Sequence, residues 1–208
     1  MFLGAVVVAG GSGTRFGRMK QFDLINGRRV IDWSIDAMKG ACNQVVVVVP
    51  EDAANELSRD DVTMAFGGNS RSVSVRRGLA ALDPDTTHVL VHDAARPLVS
   101  QAVIARVIDA LAGGARGVVP VVPITDTLRL VAGGHVDRGK YVAVQTPQGF
   151  DLSTLRQANE SGLEATDDAS LLDLLGVPIV HTEGDPVNLK ITVPHDLALA
   201  EVLLNDSI

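Results

Sequence analysis

Short apolar runs rich in valine, with no alternation of apolar and polar residues, recur at 2–9, 45–49, 62–66, 89–91 and 117–121. A strand half-exposed to water would alternate. Continuous runs of this kind belong to strands covered on both faces, as in a parallel sheet between two layers of helices. Helical apolar spacing fills the intervals at 30–38, at 72–82 with Val73, Val75, Leu79 and Leu82 inward, and at 101–111. Repeated strand, helix, strand predicts an α/β fold with a Rossmann-like, doubly wound, mostly parallel sheet and right-handed crossovers. At 208 residues one domain, 1–208, is the expectation. The rhythm breaks at about 124–145, where a Gly133-Gly134 turn separates Thr127, Leu128, Leu130 and Val131 from Val136 and residues 142–144. This stretch reads as a protruding β-arm, either an edge hairpin or a dimer arm. Beyond it the pattern predicts helices at 152–159, 169–175 and 194–204, with short strands at 179–182 and 189–192.

Composition limits the function classes. Lys and Arg total 18 against 25 Asp and Glu, a formal net charge of −7, and there are only one Trp, one Tyr and five Phe. Nucleic-acid binding would call for a basic face or aromatic stacking platforms, so neither nucleic acid nor membrane is an expected partner. A small phosphorylated ligand must meet a local concentration of cations, because the global field repels it. The single cysteine, Cys42, excludes an intrachain disulfide and suits a reducing, cytoplasmic location. Residues 1–9 lack the basic leader and cleavage site of a signal peptide, which agrees with that expectation.

In sheets of this class ligands bind beyond the carboxyl ends of the strands. The first run is followed by Ala9-Gly10-Gly11-Ser12-Gly13-Thr14-Arg15-Phe16-Gly17. Phe16 occupies the third glycine's place in a dinucleotide fingerprint, and Lys20 is followed by Gln21 rather than Ser or Thr, so neither a Rossmann nor a Walker loop fits. Arg15, Arg18 and Lys20 follow the glycines, leaving a phosphate cradle or a glycine turn with solvated charges as the two readings. The fourth run ends in His92-Asp93-Ala94-Ala95-Arg96-Pro97. Asp93 there could cap a helix and pair with Arg96, but its position beside an anion loop favours holding Mg2+ on phosphates; His92 reads as structural. In Gly67-Gly68-Asn69-Ser70-Arg71-Ser72-Val73-Ser74, Asn69 or Ser70 could cap a helix, and the double glycine lets a flat base lie on the backbone near the Ser74 hydroxyl. Alternation in Asn188-Leu189-Lys190-Ile191-Thr192 predicts Asn188, Lys190 and Thr192 on one strand face, with Lys190 as an anion contact. Asp167 and Asp168 read as the acidic start of a helix. No Ser-His-Asp or Cys-His set is evident, which suits a reaction whose nucleophile is already ionised.

Taken in order, A-G-G-S-G-T-R, K-Q-F, G-G-N-S-R-S-V-S-V, H-D-A-A-R-P, Q-T-P-Q-G-F, T-D-D-A-S, E-G-D-P and N-L-K-I-T resemble the 2-C-methyl-D-erythritol 4-phosphate cytidylyltransferases of the non-mevalonate isoprenoid pathway. That family has a fold of the nucleotide-diphospho-sugar transferase type. The resemblance implies CTP bound through Ala9, Gly10, Gly11 and Ala94, with cytosine read by Gly68, Asn69 and Ser74. It implies Mg2+ on Asp93, and Arg15 and Lys20 neutralising the charge that builds at the α-phosphorus and on pyrophosphate. Arg138 and Lys190 would position the methylerythritol phosphate, with Arg96, Thr127 and Thr146 lining its site. It further implies a homodimer in which the arm carries Thr127 and Arg138 to the partner's site. A ribitol 5-phosphate cytidylyltransferase with the same nucleotide half, and a nucleotide sensor without turnover, are the competing expectations.

Overall fold

A computed structural model describes residues 1–10, 19–57, 59–161, 165 and 167–206. Each of the five valine-rich runs is a strand: β1 (Leu3–Val8), and, after the minor strands β2 (Leu24–Ile25) and β3 (Arg28–Arg29), β4 (Gln44–Val49), β5 (Thr63–Phe66), β6 (His88–Asp93) and β7 (Gly117–Pro123). Then come β8 (Val142–Val144), β9 (Gln148–Asp151) and β10 (Val180–Glu183). The helices are α1 (Val30–Lys39), α2 (Arg71–Ala80), α3 (Gln101–Ala112), α4 (Leu152–Glu160), α5 (Asp168–Leu174) and α6 (Pro194–Asp206). The main sheet runs β10-β7-β9-β6-β1-β4-β5, with β8 also on β7. The ladders β5-β4, β4-β1, β1-β6 and β7-β10 are parallel; β9, set between β6 and β7, runs antiparallel to both.

Both faces are covered over β1, β4, β6 and the first half of β7, which is why those runs need no polar positions; β5, at the sheet edge, departs from the expectation, with Thr63, Met64 and Phe66 exposed. Ala5 and Val7 pack with Ile31, Ile35 and Met38 of α1 and Val103 and Val107 of α3. Val6 points the other way, into Val75 and Leu79 of α2, Leu155 of α4 and Leu172 of α5. Among the described residues, Ser70, Ser100, Asp151 and Asp167 cap helix starts, each side chain accepting a first-turn N–H. Among them, too, no helix is long and apolar enough to cross a membrane.

Two local readings differ from expectation. Asn26 and Gly27, both at positive φ, turn β2 into β3, an Asn-Gly hairpin signal that the apolar pattern around it does not advertise. Residues 189–192 form no strand. The chain curls there, with Asn188 N–H to the Asp185 carbonyl and Leu189 N–H to the Val187 carbonyl, so Asn188 and Ile191 turn inward and Lys190 outward. Period-2 alternation therefore does not hold, and Asn188, Lys190 and Thr192 do not share a face.

The segment after β7 leaves the sheet. Arg129 and His135 form one antiparallel bridge, Arg138–Lys140 make a 3-10 turn, and β8 returns to β7. Leu130, Val131, Tyr141, Val142 and Val144 along it are exposed.

Candidate active site

The parallel register Val8↔Asp93 aligns the ends of β1 and β6, so Ala9 and Ala94 leave the sheet side by side. The loop that follows Ala9 is pinched at its base. Ala9 N–H donates to the Val48 carbonyl at 2.8 Å, while buried Gln21 donates its side-chain Nε2 to the Ala9 carbonyl at 2.7 Å. Gln21 lies in the 3-10 turn Lys20–Phe22, and this bond brings Lys20 to the edge where the glycine loop departs. Gly11 and Arg15 lie outside the described residues.

The second glycine loop is fixed from beneath by Ser74. Its hydroxyl donates to the Ser70 carbonyl at 2.9 Å and accepts Gly68 N–H at 3.1 Å. A Cβ at Gly10 or at Gly67 would stand 3.1 Å from the Ser74 Oγ, so both glycines let the backbone come close to this residue. Ser74 thus holds the backbone of Gly68 in place, and Asn69 is exposed at the rim.

Around Asp93 the cations gather. Lys190 Nζ donates to Asp93 Oδ2 at 2.8 Å, Arg96 Nε lies 3.8 Å from the same oxygen, and Arg71 Nη2 lies 4.0 Å from Oδ1. Burial raises the Asp93 pKa, but Lys190 and Arg71 outweigh that effect and hold it at about 2. The carboxylate is ionised at neutral pH. Arg96 is itself fixed, its Nη1 donating to the Asn188 carbonyl at 2.7 Å, while its buried Nε makes no hydrogen bond among the described residues. Asn188 donates from Nδ2 to the Thr146 carbonyl at 2.9 Å, Ile191 N–H donates to the Ala95 carbonyl at 2.9 Å, and Asp196 accepts Thr192 and Val193 N–H. Lys190 is thereby held on both sides although its own segment has no ladder.

Behind Asp93, Thr146 and His92 complete one chain of bonds. Asp93 N–H donates to Thr146 Oγ1 at 3.0 Å; Thr146 Oγ1 lies 3.0 Å from His92 Nδ1; His92 Nε2 lies 3.2 Å from the Arg96 carbonyl. A carbonyl only accepts, so Nε2 carries the proton and Nδ1 accepts from the threonine hydroxyl. Burial pushes the His92 pKa down to about 4, which agrees with a neutral ring. His92 is structural, as its sequence context indicates.

A single ionised carboxylate suits a divalent cation that arrives with its other oxygens on a phosphate ligand. Among the described residues no group of three or more His, Cys, Asp or Glu is arranged to hold a metal alone. The donor set therefore fits Mg2+ entering on a nucleotide triphosphate.

Asp93, Arg96, Lys190, Thr146, Ala94 and Ala9 converge at one edge of the sheet, with Gly10 and the Gly67-Gly68 loop beside them. Thr127 and Arg138 do not join them within this chain: both are exposed on the arm, and Arg138 donates to the Thr125 carbonyl there. Sequence reasoning overlooked Arg71 and Asp168, which are 97 positions apart and paired at 2.6 Å. It also gave no role to Gln21. A buried glutamine leaves no periodic trace, whereas Asp168 was legible only as a helix-start acid.

The sequence model of 2-C-methyl-D-erythritol 4-phosphate cytidylyltransferase (IspD) matches residues 3–206. The chain belongs to this family. Among cytidylyltransferases of that name, the one from Rhodococcus jostii (strain RHA1) is 42% identical over 216 residues, covering 97% of this chain and 95% of its own. The one from Nocardia farcinica (strain IFM 10152) is 42% identical over 215 residues, covering 97% and 93%. The crystal structure of the Thermus thermophilus cytidylyltransferase superposes with a TM-score of 0.83 at 37% identity, covering 96% of this chain and 98% of that one. The mostly parallel sheet and its covering helices are thus those of the cytidylyltransferase fold.

Proposed function

We propose that the protein transfers the cytidylyl group of CTP to 2-C-methyl-D-erythritol 4-phosphate, giving 4-diphosphocytidyl-2-C-methyl-D-erythritol and pyrophosphate. The observation that carries this reading is one ionised carboxylate, Asp93, ringed by Lys190, Arg96 and Arg71 at the carboxyl edge of the sheet. An oxygen of the acceptor phosphate attacks the α-phosphorus of CTP. A new P–O bond forms, the bond from the α-phosphorus to the bridging oxygen breaks, and pyrophosphate leaves with that electron pair. The nucleophile is already an anion, so the protein's work is positioning and charge neutralisation.

Each site residue then takes a role. Ala9, Gly10, Gly11 and Ala94 receive the nucleotide, and the Gly68 backbone, set by Ser74, faces cytosine beside Asn69. Asp93 would hold Mg2+, which supplies charge neutralisation on the triphosphate. Lys20 and Arg15 follow the first loop and meet the departing pyrophosphate. Lys190 and Arg96 face the acceptor phosphate, with Thr146 fixing the floor beneath them. The exposed apolar side chains of the arm suit pairing with a second copy, which would bring Thr127 and Arg138 to the partner's acceptor site.

Pyrophosphate release with CTP and Mg2+ tests the reading. Release with methylerythritol 4-phosphate well above that with ribitol 5-phosphate is expected. Preference for ribitol 5-phosphate would overturn the acceptor assignment, and release with neither would leave a nucleotide-binding protein without turnover.

A further inference from the structure

We infer that Arg71 is a positioning residue for the nucleotide's cation: clamped by Asp168, it holds the Asp93 carboxylate in the orientation presented to the metal–triphosphate. A carboxylate turns about its last bond unless its two oxygens are held differently. Here Lys190 bonds Oδ2 at 2.8 Å with Arg96 Nε 3.8 Å from it, and among the described residues Arg71, with Nη2 at 4.0 Å, is the cation that faces Oδ1.

The two flanking cations are not equivalent. The Lys190 side chain is 42% exposed, which leaves it room to turn from Oδ2 toward an incoming phosphate. Arg71 is anchored through Nη1 to Asp168 Oδ2 at 2.6 Å, and the Asp168 side chain is 1% exposed. Asp168 is in turn rooted in the sheet. Its neighbours Asp167 and Ala169 both bond to the side chain of buried Gln148, which donates Nε2 to Asp167 Oδ2 at 2.7 Å and accepts Ala169 N–H on Oε1 at 3.2 Å. Gln148 pairs with Val91, two residues before Asp93 on β6. The clamp and the carboxylate it steers therefore stand on the same strand pair. Arg71 also follows directly on Gly67–Ser70, so the loop facing the base and the carboxylate facing the phosphates are tied through one residue.

This inference rests on reading Asp93 as the carboxylate that meets the metal–triphosphate. Calorimetric titration of the full chain with CTP and Mg2+, without acceptor, separates the two. Arg71→Met should weaken binding by about 10- to 100-fold, the range for residues that orient a metal ligand without touching the metal. Arg71→Lys should recover part of the loss, Asp168→Asn should match Arg71→Met, and the double variant should be no weaker than either. A merely structural role would lower the active fraction, and so kcat, while leaving the dissociation constant of the folded enzyme unchanged. Native-like affinity in Arg71→Met, within about twofold, or multiplying effects in the double variant, would overturn the inference. If Asp168→Asn does not fold, Arg71→Met against Arg71→Lys decides. Asp93→Asn is the control: if it binds metal–CTP as the native protein does, the reading of Asp93 falls and this inference with it.

Discussion

Lys190 Nζ and Asp93 Oδ2, 97 positions apart in sequence, are joined at 2.8 Å. The pair brings the irregular segment before α6 onto the end of β6 and sets an ammonium at the entrance to the carboxylate. Because Lys190 is partly exposed, the pair itself contributes only about 0–1 kcal/mol to stability. Its value is positional. Lys190→Ala should lower turnover about 100-fold or more while shifting the thermal midpoint by only a few degrees. Initial rates beside a melting curve check this, and an unchanged rate would remove Lys190 from the site.

Gly68 has no room for a side chain: a Cβ there would stand 2.1 Å from Val73 Cγ1 and 2.7 Å from Val73 Cβ. Gly68→Ala should push the loop off its Ser74 anchor and raise KM for CTP about 10-fold, in line with overpacking costs of roughly 1–3 kcal/mol. Trimming the obstacle should reverse it in part. A Gly68→Ala/Val73→Ala double variant loses the 2.1 Å contact with Cγ1 but keeps the 2.7 Å contact with Cβ, so it is expected to recover only some of the affinity, measured as KM for CTP at fixed acceptor.

How far the sequence could be read depends on the range of each signal. Burial on two faces is a local property of a strand, so the valine runs identified the sheet and its helices directly. The loops at strand ends followed, and with them Asp93 and Arg96, whereas Lys190 was singled out on a strand that the structure does not form. What joins them is long-range: Arg71 with Asp168, Gln21 with Ala9, and Thr146 with His92 pair across distant segments. Period-2 alternation misjudged 188–192, because two turn-like bonds at Asn188 and Leu189 rotate the backbone and bury Asn188. The Asn26-Gly27 hairpin was readable from its turn residues, yet its flanking strands are only two residues each and carry no period.

The arm makes its own prediction. If Arg138 serves the partner's site, co-expressed Arg138→Ala and Lys190→Ala chains form hybrids with one intact site. Activity should return to about a quarter of native from two nearly inactive variants, since half of the dimers are hybrids with one working site of two. Activity no higher than that of the separate variants would confine Arg138 to its own chain.

Asp151 caps α4, accepting Thr154 N–H at 2.8 Å and the Thr154 and Ser153 hydroxyls at 2.7 Å each. Partial burial raises its pKa, but these bonds outweigh that and lower it below 3.8. A carboxyl with a depressed folded-state pKa contributes stability above its unfolded value and loses it as pH falls through the folded one. Asp151→Ala should therefore cost about 1 kcal/mol at neutral pH, with the difference shrinking below pH about 4. Denaturant unfolding of both proteins across that range is the check.

Within the cationic ring around Asp93, an acceptor phosphate oxygen is to attack the α-phosphorus of CTP. Phosphorus NMR on a reaction run with methylerythritol 4-phosphate whose phosphate carries oxygen-18 follows this attack atom by atom. The expected product is a cytidine diphosphate ester that retains the label on the acceptor phosphorus and in the bridge, beside unlabelled pyrophosphate. Label in the pyrophosphate, or release of CMP without the ester, would contradict it.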